Sequence, residues 1–176
     1  MQTKQIQLIE SGEVITQTDF FNEHPTIAFP QPLTDEVLAD FGARLHAPEI
    51  PLEDRQAAAL ERIKFERDRR KYLGVKVGAH WFHSDDPSRI QQIALAMMGN
   101  AIPADLMWKT LTTTPPPVFV EMTPTLAQSI FMATAASDAA IFAAAETHRV
   151  AMEASDTPES YDITGGWPVS IEGAAP

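Results

Sequence analysis

One long segment without a helix breaker constrains the fold of this chain more than any other feature. Thr123-Pro124 places a capping hydroxyl before a proline, which favours a helix start, and no Gly or Pro follows before Glu153. At ~1.5 Å per residue, a helix over residues 124–153 would be about 45 Å long. Alanine dominates it, so other helices can approach closely. Because this length exceeds what so small a domain needs, we expect part of the helix to pack against another copy or a partner.

The N-terminal patterns predict a small hairpin followed by short helices. Residues 4–16 alternate apolar and polar side chains around a Ser-Gly turn, which is typical of a hairpin. Thr18 or Asp19 is expected to cap one short helical turn, and Thr34 to cap a second short helix. We interpret residues 1–45 as an N-terminal docking segment.

A charged helix is predicted after a proline-containing linker at 46–55. The helix, expected over residues 53–72, has only a thin apolar stripe formed by Ala57, Leu60 and Ile63. Such a helix buries little surface by itself. We therefore expect it to span a gap or to pack against another chain.

The second domain is expected over residues 56–168, before a flexible tail at 169–176. It begins with a hairpin around Gly78, and Asp86-Pro87 then signals a helix start, with Asp86 as the cap. One apolar face of this helix is expected to point toward a core: Ile90, Ile93, Ala94, Met97 and Met98. Two strands, 106–112 and 118–122, precede the long helix. The expected fold class is thus α+β: an N-terminal hairpin and short-helix segment, a charged linker helix, then a hairpin plus helices that include the long Ala-rich one.

Composition narrows the classes of function. The chain has no Cys, which excludes disulfides, thiolate catalysis and Cys-ligated metal sites. Its net charge is −11, whereas a nucleic-acid binder needs a dense cationic face. No run of about 18 uninterrupted apolar residues predicts a membrane span. We expect no cofactor, no nucleic-acid partner and no membrane partner.

The best candidate for chemistry is the stretch around His80, His83 and Asp85, whose side chains are possible ligands for zinc or manganese. Residues three apart on a strand point to opposite faces, however. The favoured interpretation is therefore two exposed strand histidines and a helix cap, with no catalytic or metal-binding residue. His148, inside the long helix, is expected to be solvated or lightly packed rather than a catalytic base.

Two groups of residues are candidates for protein interaction. The run 67–71 either binds phosphate or an acidic partner, or is the solvated end of a helix. Four phenylalanines near the N terminus form either a small core or an exposed docking patch, and the sequence supports both equally. The interaction candidates are Phe20, Phe21, Phe29, Phe41, Arg69 and Arg70. The expected structural anchors are Trp81, Asp86, Trp108 and Trp167.

Several of these stretches resemble bacteriophage proteins. "YLGVKVGAHWFHSDDPSR" (72–89) is similar to the opening of a domain of unknown function common in phage tail-fibre and tail-fibre-assembly proteins. The resemblance continues through Trp108-Lys109 and the Thr-started helix to the closing "DITGGWP" (162–168), and it covers roughly residues 60–168. "HPTIAFPQPLTDEVLADFGA" (24–43) also resembles a segment near the start of phage tail proteins.

The resemblance implies a role in the virion or its assembly and no catalytic residues. We expect a structural component of the tail, in the baseplate or tail-fibre region, which docks onto other tail, baseplate or fibre proteins and can associate with copies of itself. The expected location is the virion tail, and the host cytoplasm during assembly. A tail-fibre assembly chaperone is the alternative, and a metal-dependent hydrolase using His80, His83 and Asp85 is a third hypothesis.

Overall fold

A computed structural model describes residues 5–30 and 32–173 and shows the expected α+β fold with its long helix. The first residue of the predicted hairpin and the last three of the predicted tail lie outside the described residues. Short 3-10 turns lie at Gly99–Ala101, Pro158–Ser160 and Ile171–Gly173. The elements are β1 (Gln5–Leu8), β2 (Val14–Thr16), α1 (Gln17–Glu23), α2 (Asp35–Ala39), β3 (Ala43–Leu45), α3 (Leu52–Arg70), β4 (Val75–Val77), β5 (His80–Phe82), α4 (Asp86–Met98), β6 (Met107–Lys109), β7 (Phe119–Glu121) and α5 (Pro124–Glu153).

The chain divides into two compact units between Ile50 and Pro51. This division falls inside the segment 46–55 that was predicted as a linker. Helix α3 begins at Leu52, so the end of that segment is helical and the linker is shorter than predicted. We describe each unit separately.

The first unit is a three-stranded antiparallel sheet with β1 in the centre, between β2 and β3, accompanied by two short helices. Helix α1 starts earlier than predicted, because Thr16 rather than Thr18 or Asp19 is its cap. The Thr16 hydroxyl accepts a hydrogen bond from the Asp19 amide at 3.1 Å and donates one to the Asp19 carboxylate, a reciprocal arrangement that satisfies a free amide at the helix start. Thr34 caps α2, as predicted.

The second unit is organised around α5, whose bounds are those predicted. The Thr123 hydroxyl accepts a hydrogen bond from the Leu126 amide at 3.1 Å, which is the expected N-cap contact. By length and composition α5 is also apolar enough to cross a membrane. This is weak evidence, because the core helix of a soluble protein passes the same test. In this unit, α5 provides the packing surface for both α3 and α4.

Helix α3 packs against the C-terminal half of α5 within the same unit, so the expectation that it spans a gap is wrong. Ala59 and Ile63 of α3 are buried with Ala145 and Met152 of α5. Of the predicted stripe, Ile63 is buried and Leu60 half-buried, whereas Ala57 is exposed and Ala59 is buried in its place. Small residues on both helices allow close packing, and therefore a thin stripe is sufficient to hold α3.

Helix α4 packs against the N-terminal half of α5. Both helices contribute to a second buried cluster together with the hairpins. Leu95 of α4 and Ile130 of α5 are buried with Phe82 of β5.

The hairpin predicted around Gly78 forms as β4 with β5. The strands predicted at 106–112 and 118–122 form over the shorter ranges of β6 and β7 and pair with each other. The amide of Leu111 donates to the carbonyl of Trp81 at 2.7 Å, which joins the two hairpins.

Gly74 is required where the chain enters β4. Its φ is +83°, and a Cβ there would lie 2.5 Å from Cδ2 of Leu111. A side chain would therefore be strained by both backbone conformation and space. The close approach packs the start of β4 against Leu111, which follows β6.

Candidate docking surface

Helix α4 turns its polar face toward the protein. Gln92 is 3 % exposed and Leu95 8 %, and Arg89 is half-buried one turn before Gln92. Polar side chains in such positions are stable only when they are hydrogen-bonded. The contacts of Arg89 and Gln92 therefore determine which way the helix faces.

Arg89 is held by a carboxylate and two backbone carbonyls. Its guanidinium binds both carboxylate oxygens of Asp138 on α5, at 2.6 and 2.9 Å. It also donates to the carbonyl oxygens of Lys71 (2.9 Å) and Ser84. The hydrogen-bonded Asp138 carboxylate raises the pKa of the Arg89 guanidinium, against the opposing effect of burial. A bidentate pair with this geometry ties α4 to α5 in one orientation.

The segment before α4 is fixed by the same kind of contact. The side-chain amide of Gln92 donates to the His83 carbonyl at 2.7 Å. The buried Ser84 hydroxyl donates to the Lys71 carbonyl at 2.7 Å and accepts from the Gly74 amide at 2.9 Å. The Ser84 bonds connect the end of α3 to the loop between β5 and α4, and the Gln92 bond ties α4 to the same loop. Rotation of α4 would therefore leave the buried Gln92 amide without its partner.

The most apolar side of α4 consequently points to solvent. Ile90 is 69 % exposed, Met97 83 %, Ile93 43 % and Met98 44 %, and Ala94 between them is exposed. The prediction that these residues face a core is wrong, because Arg89, Gln92 and Leu95 occupy the inward side. We call Ile90, Ile93, Ala94, Met97 and Met98 the outer face of α4.

A groove between α4 and α5 adjoins the outer face. It encloses about 210 Å³ and is lined by Ile93 of α4, by Phe131, Thr134 and Ala135 of α5, and at one end by the Arg89–Asp138 pair. Phe131 is itself 38 % exposed. The outer face and the groove form one apolar surface of the kind that marks a protein interaction site.

This surface is also free of charge over long stretches of both helices. Neither residues 90–104 nor residues 122–137 contain an Asp, Glu, Lys or Arg. The charged residues that border the groove, Arg89 and Asp138, neutralise each other. In a chain whose net charge is −11, an uncharged apolar area of this kind favours contact with another apolar surface.

The phenylalanines predicted as either a core or a docking patch form a core. Phe20 is fully buried, and Phe21, Phe29 and Phe41 are half-buried around it. The ring centroids of Phe21 and Phe29 are stacked at 4.9 Å, and Phe20 meets Phe41 edge to face at 6.2 Å. These four residues, which we call the Phe cluster, hold the first unit together.

Arg69 and Arg70 are engaged in ion pairs at the end of α3. Both bind Glu66, at 2.8 and 2.7 Å, and Arg69 also binds Glu172 at 2.8 Å. The hydrogen bond from Arg69 lowers the pKa of the Glu66 carboxyl, against burial, and Arg70 adds to the effect. Through Glu172, the ion pairs connect α3 to residues 169–173, the described part of the predicted tail. This part of the tail therefore makes a fixed contact, whereas it was predicted to be flexible.

The predicted anchors occupy structural positions, with one correction. Trp81 and Trp108 are half-buried on β5 and β6. The cap of α4 is Asp85 and not Asp86, since the Asp85 carboxylate accepts a hydrogen bond from the Ser88 amide at 3.0 Å. Burial opposes ionisation of Asp85, but the bonds from Ser88 outweigh it and lower the pKa of this carboxyl. Asp86 instead accepts a hydrogen bond from the Tyr72 hydroxyl.

His148 is the residue whose position the sequence predicted least well. It was expected to be solvated or lightly packed, but it is buried, with Nδ1 at 3.1 Å from the Tyr161 hydroxyl and Nε2 at 2.8 Å from the Gly165 carbonyl. Its ring lies 4.9 Å from that of Trp167, whose indole donates to the Ile163 carbonyl at 2.7 Å. The sequence signal that points to this burial is Gly-Gly-Trp at 165–167, where the glycines allow the chain to return over α5 and cover His148.

The candidate metal ligands do not come together around one point. His83 Nδ1 lies 3.8 Å from the Asp85 carboxylate, whereas His80 lies beside Leu111 and Thr112. Within residues 5–30 and 32–173, no three His, Cys, Asp or Glu side chains are grouped so that they would hold a metal ion. Asp85 is used as a helix cap.

Comparison with known protein families identifies a family over most of the second unit. The sequence model of DUF4376, a domain of unknown function, matches residues 54–165. No curated protein matches the chain significantly, and neither does any solved structure. The matched residues include most of α3, all of α4 and α5, and the groove.

Proposed function

The chain belongs to the DUF4376 family, and for this member we propose a role as a structural component of a bacteriophage tail, in the baseplate or tail-fibre region. It acts by docking onto other tail proteins rather than by catalysis. The docking site is the outer face of α4 together with the groove beside it. Association there removes apolar side chains from water, which is the main favourable term in protein assembly.

The outward orientation of α4 is the observation that carries the proposal. A helix in a self-sufficient domain normally turns its apolar side inward. Here the inward side has Arg89 and Gln92, each bound to its partners, and the apolar side is exposed. Such an arrangement satisfies the inward polar groups within the unit and leaves Met97 and Ile90 exposed to a partner.

The assignment to a phage tail is supported by the sequence resemblance. The stretch 72–89, the closing 162–168 and the segment 24–43 are similar to phage tail proteins. In the structure the first stretch contains the hairpin and the cap that position α4, and the second contains Trp167 beside His148. The resembling stretches thus include residues that shape the proposed docking unit.

Particle composition tests this role directly. Phage particles encoding the chain are purified, and their proteins are quantified by mass spectrometry. We expect the chain at a fixed ratio to other tail proteins. Its absence from intact, infectious particles would rule out a permanent structural role.

A matched pair of variants connects the role to the surface. Met97→Lys places a charge on the outer face, and Phe65→Lys places the same charge at a 73 % exposed residue on α3. We expect Met97→Lys to be depleted from particles and Phe65→Lys to be incorporated normally. Equal incorporation of both would show that docking uses another surface.

A tail-fibre assembly chaperone is the second candidate, and the two methionines of the outer face favour it. Methionine side chains are flexible and adapt to different apolar partners, which suits transient binding. A chaperone would be bound to fibre subunits in lysates before assembly and would be missing from finished particles. The same mass spectrometry therefore distinguishes the two roles.

A further inference from the structure

We propose that the outer face of α4 and the adjoining groove form the interface through which two copies of this chain associate about a two-fold axis. This inference rests on the docking role proposed above and names the first partner of that surface. It follows from three properties of the surface: its lack of charge, its shape and its position on a strongly acidic protein.

Charge limits which surfaces of two copies can meet. Each copy has a net charge of −11, and like charges oppose close approach of two such molecules. Residues 90–104 and 122–137 contribute no charge, and Arg89 compensates Asp138 at the edge of the groove. When two copies meet at this surface, neither of these two stretches places an unpaired charge in the contact.

The absence of charge also argues against a partner of opposite sign. A basic partner attracted by the acidic chain would bind where carboxylates are exposed, since electrostatic complementarity selects the contact. The outer face offers such a partner no carboxylate. Its complement is another uncharged apolar surface, and each copy of this chain has one.

Shape makes the surface complementary to itself. Ile90, Ala94 and Met97 form a ridge along α4 at helical spacing, and Met97 is 83 % exposed. The groove beside the ridge encloses about 210 Å³, room for an aliphatic side chain. In a two-fold interface each copy contributes the same surface, so the ridge of one can enter the groove of the other, and the reverse.

Cross-linking of the full chain tests whether the two ridges and grooves meet. The chain has no native Cys, so Met97→Cys and Phe65→Cys each create a single thiol at an exposed apolar position. With a short bifunctional maleimide at low protein concentration, we expect at least about tenfold more cross-linked dimer from Met97→Cys. Equal cross-linking of the two variants would overturn the proposal.

Sedimentation of the unlabelled full chain provides the second measurement. We expect the wild-type chain to show a concentration-dependent dimer, which Met97→Lys weakens at least about tenfold and Phe65→Lys leaves unchanged, because a lysine in an apolar interface loses its hydration. A wild-type chain that remains monomeric at all concentrations would refute the inference. So would a dimer or larger assembly that Met97→Lys leaves intact.

The outcomes separate this inference from the proposed function. A monomeric chain that is present in particles, and lost from them on Met97→Lys, would leave the docking role standing with a different partner. A dimer that depends on Met97 in a chain absent from particles would support the interface while refuting the permanent tail role.

Discussion

The Phe cluster and the outer face of α4 are both groups of apolar side chains, yet one forms a core and the other is exposed. Phe20 is fully buried within the first unit, whereas Met97 is 83 % exposed in the second. The sequence left the first group open between core and docking patch and predicted the second as core. The comparison shows that an apolar pattern locates a face of a helix without determining the direction in which it points.

The direction is decided by what the opposite side of each helix can bind. In α1 the side away from Phe20 carries Thr18 and Asn22, both exposed, so nothing competes with Phe20 for the interior. In α4 the opposite side carries Arg89 and Gln92, whose partners lie on α5 and in the loop before α4. Burial of polar groups with complete hydrogen bonding can therefore orient a helix against its own hydrophobic pattern.

The largest expected effect is that of Phe20→Ala, which removes the centre of the Phe cluster. Truncating a buried Phe costs about 3–5 kcal/mol, and a unit of this size rarely has more stability than about 3–5 kcal/mol. We expect residues 5–50 to unfold while residues 51–173 remain folded. Hydrogen exchange resolved by peptide measures both units in one experiment.

Ile9→Ala is the matched control in the first unit, because Ile9 is 58 % exposed. It should change exchange in that unit little. Unchanged protection of β1 in Phe20→Ala would show that the Phe cluster is not the core of the unit.

Arg89→Met is expected to have the next largest effect, about 3 kcal/mol. It leaves the half-buried Asp138 carboxylate and two backbone carbonyls without their partner, and breaking a buried pair from one side costs about 3–5 kcal/mol. The lower end applies here because both side chains are partly exposed, at 17 and 27 %. Urea unfolding of the second unit measures the loss.

The exposed pair of Lys64 with Glu61 provides the control for Arg89→Met. Their side chains are 44 and 70 % exposed, and such pairs contribute about 0–1 kcal/mol. Equal small losses in Lys64→Met and Arg89→Met would contradict the view that Arg89 sets the orientation of α4.

Much of the fold was predictable because its signals are local. The cap at Thr123 and the absence of breakers determined α5 from start to end, and Gly78 marked the turn between β4 and β5. The docking surface was not predictable, since the partners of Arg89 are Asp138, 49 residues later, and backbone carbonyls that carry no sequence signal. Likewise the contacts of His148 depend on how residues 161–167 return over α5.

Trp167→Ala tests this returning segment, with an expected loss of about 2–3 kcal/mol. The indole packs beside His148, lies 5.0 Å from the Arg70 guanidinium and donates to the Ile163 carbonyl. Truncating a fully buried Trp costs about 3–5 kcal/mol. The loss expected here is smaller because Trp167 is only half-buried. Urea unfolding measures the change, and Trp167→Phe, which retains a ring but loses the N–H donor, should lose about 1 kcal/mol. An unaltered unfolding midpoint in Trp167→Ala would show that this segment does not anchor the unit.

Met97→Ser should change the free energy of unfolding of the isolated chain least of these variants. It therefore gives the sharpest contrast with Phe20→Ala. A side chain that is 83 % exposed contributes little to folding, so we expect a change within about 0.5 kcal/mol at low protein concentration. At high concentration the wild-type chain gains stability from association, because a partner that binds only the folded state stabilises it. The melting temperature of the wild type should then rise with concentration, and that of Met97→Ser should rise less. A large loss at low concentration would instead mean that Met97 is buried within its own unit, and the contrast between the two apolar groups would disappear.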